Sequence, residues 1–291
     1  MTYWLIDSSG SGSGERDAGF WIPHLRDAGI TSVRVEAIED QDKWTADIES
    51  DDVLIAAGGD GSVSCVAGIC LRKNAILAVL PSGTANDFAR NLGIPEDPSP
   101  AVELIAENHV LDIDVASAGE RIYLNVAHIG LGTLPSRQAG KTAKRLFGRF
   151  SYAVTLFRRL FAQRGFKARI ETENGVLEDT WVTVAIATGA YFGGGYEVPE
   201  ASIDDGKLDV LAVRPRSIFE LLFTLATFRL KKHRDPKSDA VCQVKGTWCE
   251  IRTSKPKTIT MDGDVAGKTP IRIECKAGAL RVVGREITST N

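Results

Sequence analysis

Residues 52–87 decide the fold of this chain, and their sequence is DVLIAAGGDGSVSCVAGICLRKNAILAVLPSGTAND. It contains two loops, Gly58–Ser62 and Pro81–Asp87, each placed between a short apolar run and a segment with helical spacing. The runs Val53–Ala57 and Ile76–Leu80 have the length of strands that are buried on both faces of a parallel sheet. The stretch therefore predicts two successive strand–loop–helix units of an α/β domain.

The first loop has the chemistry of an anion site. Gly58, Gly59 and Gly61 carry no Cβ, so a ligand can approach their backbone closely. The unpaired N–H groups at the start of the following helix favour negative charge. Asp60 would repel a phosphate unless it accepts N–H bonds from the loop or faces a magnesium ion. A GGDG sequence by itself is a weak signal, and an ordinary strand-to-helix turn is the alternative interpretation.

Composition limits the class of protein. The chain has 291 residues, of which 43% are hydrophobic and 25% charged, as in a globular protein with room for two domains. The net charge of −3 argues against a general nucleic-acid binder. Five cysteines without a CxxC pair suit a reducing cytoplasm, and they indicate no zinc site. No signal peptide or apolar run of about 18 residues is present, so we expect a cytoplasmic protein.

The pattern changes from alternating strands and helices to short strands at Val110. A series of such strands predicts a β-sandwich or barrel-like second domain. Two segments with helical spacing, 144–161 and 217–229, interrupt the series and carry basic residues. Segment 144–161 is interpreted as an amphipathic helix packed on the domain, which can also lie against anionic lipid. Segment 217–229 is interpreted as a core helix with a basic end, and its alternative role is to line an acyl-chain groove. The predicted strands are VLDIDVA, RIYLNVAHIGL, KARIETENGVLEDTWVTVAIAT with a turn at Asn174-Gly175, LDVLAV, QVKGTWCEI, KTITM, IRIEC and ALRVVG.

The two loops together resemble a known family. The resemblance lies in GGDGS at residues 58–62 and LPSGTANDFARNLGIP at residues 80–95. Through these motifs the chain resembles the diacylglycerol kinase catalytic domain family, especially its bacterial soluble lipid kinases. The resemblance implies an α/β parallel-sheet nucleotide-binding domain like that of NAD kinases and phosphofructokinases, followed by a β-sandwich with helical insertions. The first domain would comprise residues 1–115 and about 279–291, and the second residues 116–278. Nucleotide and acceptor would meet in the cleft between the domains.

The resemblance also implies a nucleotide site for ATP. Asp60 would help to hold the phosphates or Mg²⁺, and the loop 8–14 would be a third phosphate contact. The implied nucleotide-binding residues are Gly58, Gly59, Asp60, Gly61, Ser62, Ser64, Gly83, Thr84 and Asn86.

Two later motifs match the same family. In GAYFGGGYEVPEA (189–201) and the following SIDDGKLDV, Asp205 with the carbonyls of Ser202 and Lys207 would form a structural Mg²⁺ site. An ordinary acidic turn is the alternative. In the Asp262-Gly263-Asp264 motif, Asp264 matches the proton acceptor and Asp262 its partner. Asp264 is one methylene shorter than the usual Glu, so either the strand lies closer or Asp262 shares the role.

The resemblance implies an ATP-dependent lipid kinase that transfers the γ-phosphate to the hydroxyl of diacylglycerol or a related lipid. Peripheral contact with an anionic membrane, on its inner face, and a homodimer are expectations of the same kind. The alternatives are a kinase of the NAD kinase type with a soluble substrate, and a non-catalytic nucleotide-responsive binding protein.

Overall fold

The structure, a computed structural model, describes residues 1–7, 16–130, 165–198, 200–215 and 241–285. The loop 8–14 and the two basic segments, 144–161 and 217–229, lie outside the described residues, so the predictions for them stay predictions. No helix in the described part of the chain is long and apolar enough to cross a membrane.

The first half of the chain alternates strands with helices, as the sequence predicts. Strands β3 and β4 are buried along their whole length, because both faces of the sheet are covered. The parallel order is β2-β1-β3-β4. The elements are β1 (Tyr3–Asp7), α1 (Ala18–Asp27), β2 (Val33–Ala37), α2 (Gln41–Trp44), β3 (Val53–Gly58), α3 (Asp60–Lys73), β4 (Ile76–Pro81), α4 (Asp87–Asn91) and α5 (Pro98–Glu107).

The second half consists of strands in its described residues. They are β5 (Val110–Ala118), β6 (Arg121–Tyr123), β7 (Val126–Gly130), β8 (Phe166–Thr172), β9 (Gly175–Trp181), β10 (Thr183–Ala187), β11 (Tyr191–Phe192), β12 (Tyr196–Glu197), β13 (Leu208–Val213), β14 (Val241–Gly246), β15 (Trp248–Thr253), β16 (Thr258–Met261), β17 (Asp264–Lys268) and β18 (Ile271–Val283).

Strand β18 joins the two halves. Its end pairs parallel with β4, its start pairs antiparallel with β15, and β5 lies antiparallel along it. Ten of the described strands therefore form one sheet, in which β8 and β9 continue beyond β15. A second sheet has the order β14-β13-β10-β7-β16-β17. The fold is thus a parallel-sheet domain followed by a β-sandwich, and the sequence prediction of the fold class is confirmed.

Two hydrophobic cores lie on either side of this junction. The first fills the α/β half and includes the fully buried Trp4 and Trp21. The second lies between the two sheets, where Trp181 and Ile251 of the first sheet face Ile186 and Ile259 of the second. The first core ends along β5 at Val115 and the second begins at Ala116. This division of the cores agrees with the predicted domain boundary near residue 115, which stays a prediction.

Several predicted strands have different limits in the structure. QVKGTWCEI is two strands, β14 and β15, which belong to different sheets, and RIYLNVAHIGL is likewise divided into β6 and β7. IRIEC and ALRVVG are one strand, β18, with an irregularity between Lys276 and Leu280. The alternation of apolar residues continues through each sheet change, so periodicity alone does not show where a strand changes sheet.

Two turn positions are also corrected. Thr172 pairs with Gly175, so the residues at the tip of the β8–β9 hairpin are Glu173 and Asn174, rather than Asn174 and Gly175. The Ser99-Pro100 pair predicts a helix with Ser99 as its cap and Pro100 as its first residue. In the structure the cap of α5 is Asp97 and its first residue is Pro98, two positions earlier. Proline at the first helical position has the fixed φ that a helix start requires.

Candidate nucleotide and acceptor site

The two glycine loops lie against each other at the ends of β3 and β4. Ser82 N donates to Gly58 O at 3.1 Å. A Cβ added at Gly83 would lie 2.5 Å from Gly59 Cα, so the two backbones leave no space for a side chain. Gly61 is exposed, and a Cβ added there would meet no atom within 4 Å. The predicted loops therefore form one continuous backbone surface with open space beside Gly61.

Asn86 fixes the shape of the second loop. Its φ of 50° is left-handed, a conformation that asparagine tolerates better than most residues. The side chain folds back on the loop, because Oδ1 accepts from Gly83 N at 2.9 Å and Nδ2 donates to Gly83 O at 3.1 Å. Asn86 thus holds the loop, whereas Thr84 is exposed beside it.

Substitution of Gly83 by alanine is expected to lower the free energy of unfolding by about 1–3 kcal/mol, the usual cost of overpacking. The added Cβ would overlap Gly59 and would lie 2.8 Å from Asn86 Oδ1. Urea denaturation measures the effect. Gly61→Ala is the matched control, since its Cβ enters open space, and equal destabilisation by the two substitutions would contradict the prediction.

Asp60 connects the loops to the second half of the chain. Its Oδ1 accepts from Phe88 N at 3.0 Å and from Asn125 Nδ2 at 3.2 Å. Among the described residues, no hydrogen bond reaches Oδ2. Asp60 therefore accepts its backbone N–H bond from the start of α4, directly after the second loop, and its other oxygen accepts none from the described residues.

Asp262 is the centre of a second connection. Its Oδ2 accepts from Ser64 Oγ and from Leu124 N, both at 2.8 Å. Its Oδ1 accepts from Asn125 N at 3.0 Å and Val126 N at 3.1 Å. All four lone-pair positions of the carboxylate are therefore occupied. Burial raises the pKa of Asp262, and these hydrogen bonds act in the opposite direction. Asp262 attaches the β16–β17 turn to α3 and to the start of β7.

The Asp-Gly pair at 262–263 is a two-residue hairpin loop. Met261 pairs with Asp264, and φ is 45° at Asp262 and 91° at Gly263. Both values are positive, as in the tight hairpin turns that favour Asp-Gly. Asp264 is the first residue of β17, and its side chain is exposed. Within the described parts of the chain, its carboxylate makes no hydrogen bond or ion pair, so the two aspartates of the motif have different surroundings.

A third set of contacts holds the glycine-rich hairpin β11–β12 over α4. Asp87 accepts from Gly194 N and Gly195 N, both at 2.8 Å. Asn91 accepts from Tyr191 N at 2.8 Å and donates to its carbonyl at 3.0 Å. Burial and the nearby Asp60 carboxylate raise the pKa of Asp87, against the two glycine N–H bonds.

Three of these connecting residues were not predicted as site residues. Asn125 touches both Asp60 and the turn at Asp262, and its buried Oδ1 has no hydrogen-bond partner among the described residues. Asp87 and Asn91 lie within the quoted motif, but only as parts of a predicted short helix. A buried polar residue in the middle of the apolar pattern RIYLNVAHIGL is the signal by which Asn125 could have been found.

His128 lies on β7, two residues beyond the Asp262 contacts. Its Nδ1 is buried and has no hydrogen-bond partner in the described part of the chain, and its ring contacts Phe192 edge-on at 5.5 Å between centroids. Burial lowers the pKa of His128 from 6.5 to about 4. The ring is therefore neutral in the folded protein at pH 7.

Acidification is expected to destabilise the protein through His128. The unfolded chain binds a proton as the pH falls through 6.5, while the folded protein does so only near pH 4. Stability is therefore lost between these values, by up to about 1.4 kcal/mol per pH unit. Urea denaturation at pH 7 and pH 5 should show a smaller pH effect for His128→Asn than for wild type. The exposed His109→Asn is the control, and equal pH effects in all three proteins would contradict the prediction.

The acidic turn that the sequence assigned to Mg²⁺ has a different set of contacts. Asp205 Oδ1 accepts from Lys207 N at 3.0 Å, and Oδ2 forms an ion pair with Lys245 Nζ at 2.8 Å. Ser202 donates through its hydroxyl to Asp204. Within the described residues, no group of three or more His, Cys, Asp or Glu side chains is arranged to hold a metal ion. The predicted set has one carboxylate and two backbone carbonyls, so the lack of such a side-chain group does not by itself exclude it. Because the ammonium of Lys245 already contacts the Asp205 carboxylate, this arrangement of residues does not fit a divalent cation.

Comparison with known proteins shows the family of both halves of the chain. Residues 5–118 match the model of the diacylglycerol kinase catalytic domain, and residues 126–284 match that of the YegS C-terminal NAD kinase beta sandwich-like domain. A protein of Xanthomonas campestris named "Probable lipid kinase YegS-like" is 32% identical, over 97% of this chain and 96% of that protein. One of the same name from Stenotrophomonas maltophilia is 30% identical, over 96% of this chain and 95% of its own length.

A solved structure has the same fold. The crystal structure of a diacylglycerol kinase from Bacillus anthracis str. Sterne aligns with a TM-score of 0.78 at 25% identity, and the alignment covers 98% of this chain and 97% of that one. Both halves, their order and the loop motifs thus correspond to one family. The chain therefore belongs to the diacylglycerol kinase catalytic domain family, in the bacterial branch whose second half is the YegS C-terminal NAD kinase beta sandwich-like domain.

Proposed function

We propose that this protein is an ATP-dependent lipid kinase that phosphorylates a hydroxyl of diacylglycerol or a related lipid. One observation carries the proposal. Helix α3, which starts at the first glycine loop, is joined to the carboxylate turn by the Ser64–Asp262 hydrogen bond, and Asp60 of that loop is joined to Asn125, whose backbone N–H donates to Asp262. A phosphate donor on the loops and an acceptor at the turn would therefore be neighbours, as phosphoryl transfer requires.

The loop surface suits a nucleotide triphosphate. The close approach of Gly59 and Gly83 leaves backbone, rather than side chains, facing a ligand, and the space beside Gly61 is open. Helix α3 begins at Asp60 and runs for 14 residues, so its first N–H groups favour phosphate oxygens. Gly58, Gly59, Gly61, Ser62, Gly83 and Thr84 would bind the phosphates, while Asn86 holds the loop in shape. Ser64 would act through Asp262, to which its hydroxyl donates.

Asp60 is the residue that fits a catalytic cation. Its Oδ2 is free of hydrogen bonds from the described residues, and a carboxylate oxygen is the kind of ligand that Mg²⁺ prefers. When bound, Mg²⁺ offsets the negative charge that develops on the transferred phosphoryl group. The two hydrogen bonds to Oδ1 would keep the Asp60 carboxylate oriented toward the loop.

Asp264 is the general base in this proposal. A base must have a lone pair available for the proton of the acceptor hydroxyl. Asp262 has none, because four donors occupy its carboxylate, whereas the Asp264 carboxylate has no partner among the described residues. The acceptor oxygen would lose its proton to Asp264 and form a bond to the γ-phosphorus, while the bond from phosphorus to the β-phosphate oxygen breaks and ADP leaves.

The acceptor class rests on the relatives, which are named as probable lipid kinases, and on the family to which the chain belongs. The decisive experiment is transfer of labelled γ-phosphate from ATP to a total lipid extract, with wild type and Asp264→Ala compared. A labelled lipid from wild type alone would support the proposal, and mass spectrometry of that product would name the acceptor. Absence of a labelled lipid with wild type, together with labelling of a soluble acceptor such as NAD, would replace the proposal with the NAD kinase alternative.

Peripheral membrane contact is part of the same proposal. A kinase whose acceptor lies in a bilayer must reach the membrane surface, and the basic segments predicted to do so lie outside the described residues. Co-sedimentation with vesicles should be stronger for anionic than for zwitterionic lipid and should weaken with added salt. Equal binding to both kinds of vesicle would contradict an electrostatic contact.

A further inference from the structure

Lys245 contacts the acidic turn, residues 200–207, at two points and the strand that follows it, β13, at a third. Its Nζ lies 2.8 Å from Asp205 Oδ2 and 3.6 Å from Asp209 Oδ2, and it donates to the backbone carbonyl of Glu200. The Lys245 and Asp205 side chains are each 26% exposed, and that of Asp209 is 1% exposed. The ammonium is therefore the cationic partner of two carboxylates, one of them inside the protein.

The sheet itself places Lys245 at this position. Lys245 on β14 is the direct cross-strand partner of Asp209 on β13. Directly opposite residues on one face of an antiparallel pair have their side chains within contact distance. The remaining oxygen of Asp209 accepts from Gln243 Nε2, also on β14, at 2.8 Å. The contact is thus determined by strand register, not by a chance conformation of a surface lysine.

The turn fastens the junction between the two halves of the fold. Gly206 N donates to Asp114 Oδ2 at 2.6 Å, and Asp114 N donates to Ile203 O at 2.7 Å. The other oxygen of Asp114 accepts from Gly278 N at 2.9 Å, at the irregular part of β18. The turn therefore connects β13 to β5 and β18 where these strands pass from one core to the other, and its negative charge requires a cation.

We propose that the Lys245 ammonium is the permanent cation of this turn, in the position where the resemblance to the family places a structural Mg²⁺. A divalent ion on Asp205 would lie next to an ammonium that already contacts the same carboxylate, and the two positive charges would repel each other. The backbone N–H of Lys207 uses one of the two lone pairs of the other Asp205 oxygen. This chain therefore needs no divalent cation to hold the turn, a conclusion that does not depend on the proposed activity.

Thermal unfolding of the full chain without nucleotide, in EDTA and in MgCl₂, tests the proposal. Wild type is expected to have the same Tm in both solutions. Lys245→Met should have a lower Tm in EDTA, because Asp205 and Asp209 are left without their cation. Lys207→Met is the matched control, since it removes an exposed positive charge from the same turn while retaining the backbone bond to Asp205, and its Tm should follow that of wild type.

The Mg²⁺ series separates the outcomes. A rise in the Tm of Lys245→Met on adding Mg²⁺ would support the proposal by showing that a divalent ion can replace the ammonium. A low Tm of Lys245→Met that does not change on adding Mg²⁺ would also support the proposal, and it would mean that the turn accepts lysine but not Mg²⁺. The proposal would be overturned if the wild-type Tm fell in EDTA and recovered in MgCl₂ while the Tm of Asp205→Asn showed no such response. A Lys245→Met protein that behaves like Lys207→Met would also overturn it. If Lys245→Met does not fold, the wild-type measurements still test whether the turn needs a divalent cation.

Discussion

Replacement of Asp264 by alanine is expected to lower kcat for lipid phosphorylation by about 10²–10⁴-fold, the usual contribution of a general base. The free energy of unfolding should stay within about 0.5 kcal/mol of wild type, because the side chain is exposed and has no partner among the described residues. Steady-state kinetics with ATP and the identified lipid, together with urea denaturation, measure the two quantities.

Asp264→Glu is the informative companion to this variant. It restores the longer side chain that the family usually has, so it should retain far more activity than Asp264→Ala. Asp264→Asn keeps the size of the side chain but cannot accept the proton, and it should be as inactive as alanine. Wild-type kcat in Asp264→Ala would contradict the assignment of the base.

Replacement of Asp262 by alanine is expected to act on stability first, with a loss of about 3–5 kcal/mol. The substitution removes the acceptor of four hydrogen bonds and leaves the backbone N–H groups of Leu124, Asn125 and Val126 unpaired. Each hydrogen bond to a charged group contributes about 1.5–3 kcal/mol, but removal of the carboxylate also removes the cost of burying it, which offsets part of the sum. Urea denaturation at pH 7 is the measurement. Activity should also fall, since the turn that carries Asp264 loses its attachment to α3.

Ser64→Ala provides the graded control for Asp262. It removes one of the four donors and leaves the three backbone bonds, so the expected loss is roughly 1 kcal/mol. An Asp262→Ala protein with wild-type stability and no activity would contradict the structural role of Asp262. It would indicate that Asp262, rather than Asp264, is the general base.

Much of the first half could be predicted from the sequence, because its signals are local. Apolar runs of strand length followed by glycines specify β3, β4 and the loops after them, whatever the rest of the chain does. The Asp-Gly pair at 262–263 also predicts a tight turn by its own conformational preference. The resemblance to the family added the motifs elsewhere in the chain that are expected to work with these, but it left open which aspartate is the base.

The second half was harder to predict because its strands change sheets. The residues of β14 and β15 are continuous in sequence and in pattern, yet they lie in different sheets with only Thr247 between them. Alternation tells which residues share a face of a strand, but it does not tell which neighbour the strand pairs with. The same holds for Lys245, whose position opposite Asp209 depends on the register of β13 and β14.

The sequence by itself determined the α/β and β halves, the two glycine loops and the aspartate turn, since each depends on residues close together in the chain. Only the tertiary structure decided how these parts are used. Asp262 receives the hydroxyl of Ser64 from 198 residues away, and Asp205 receives the ammonium of Lys245. A carboxylate's role depends on which donors reach it, and donors distant in the chain are brought to it only when the two halves pack together.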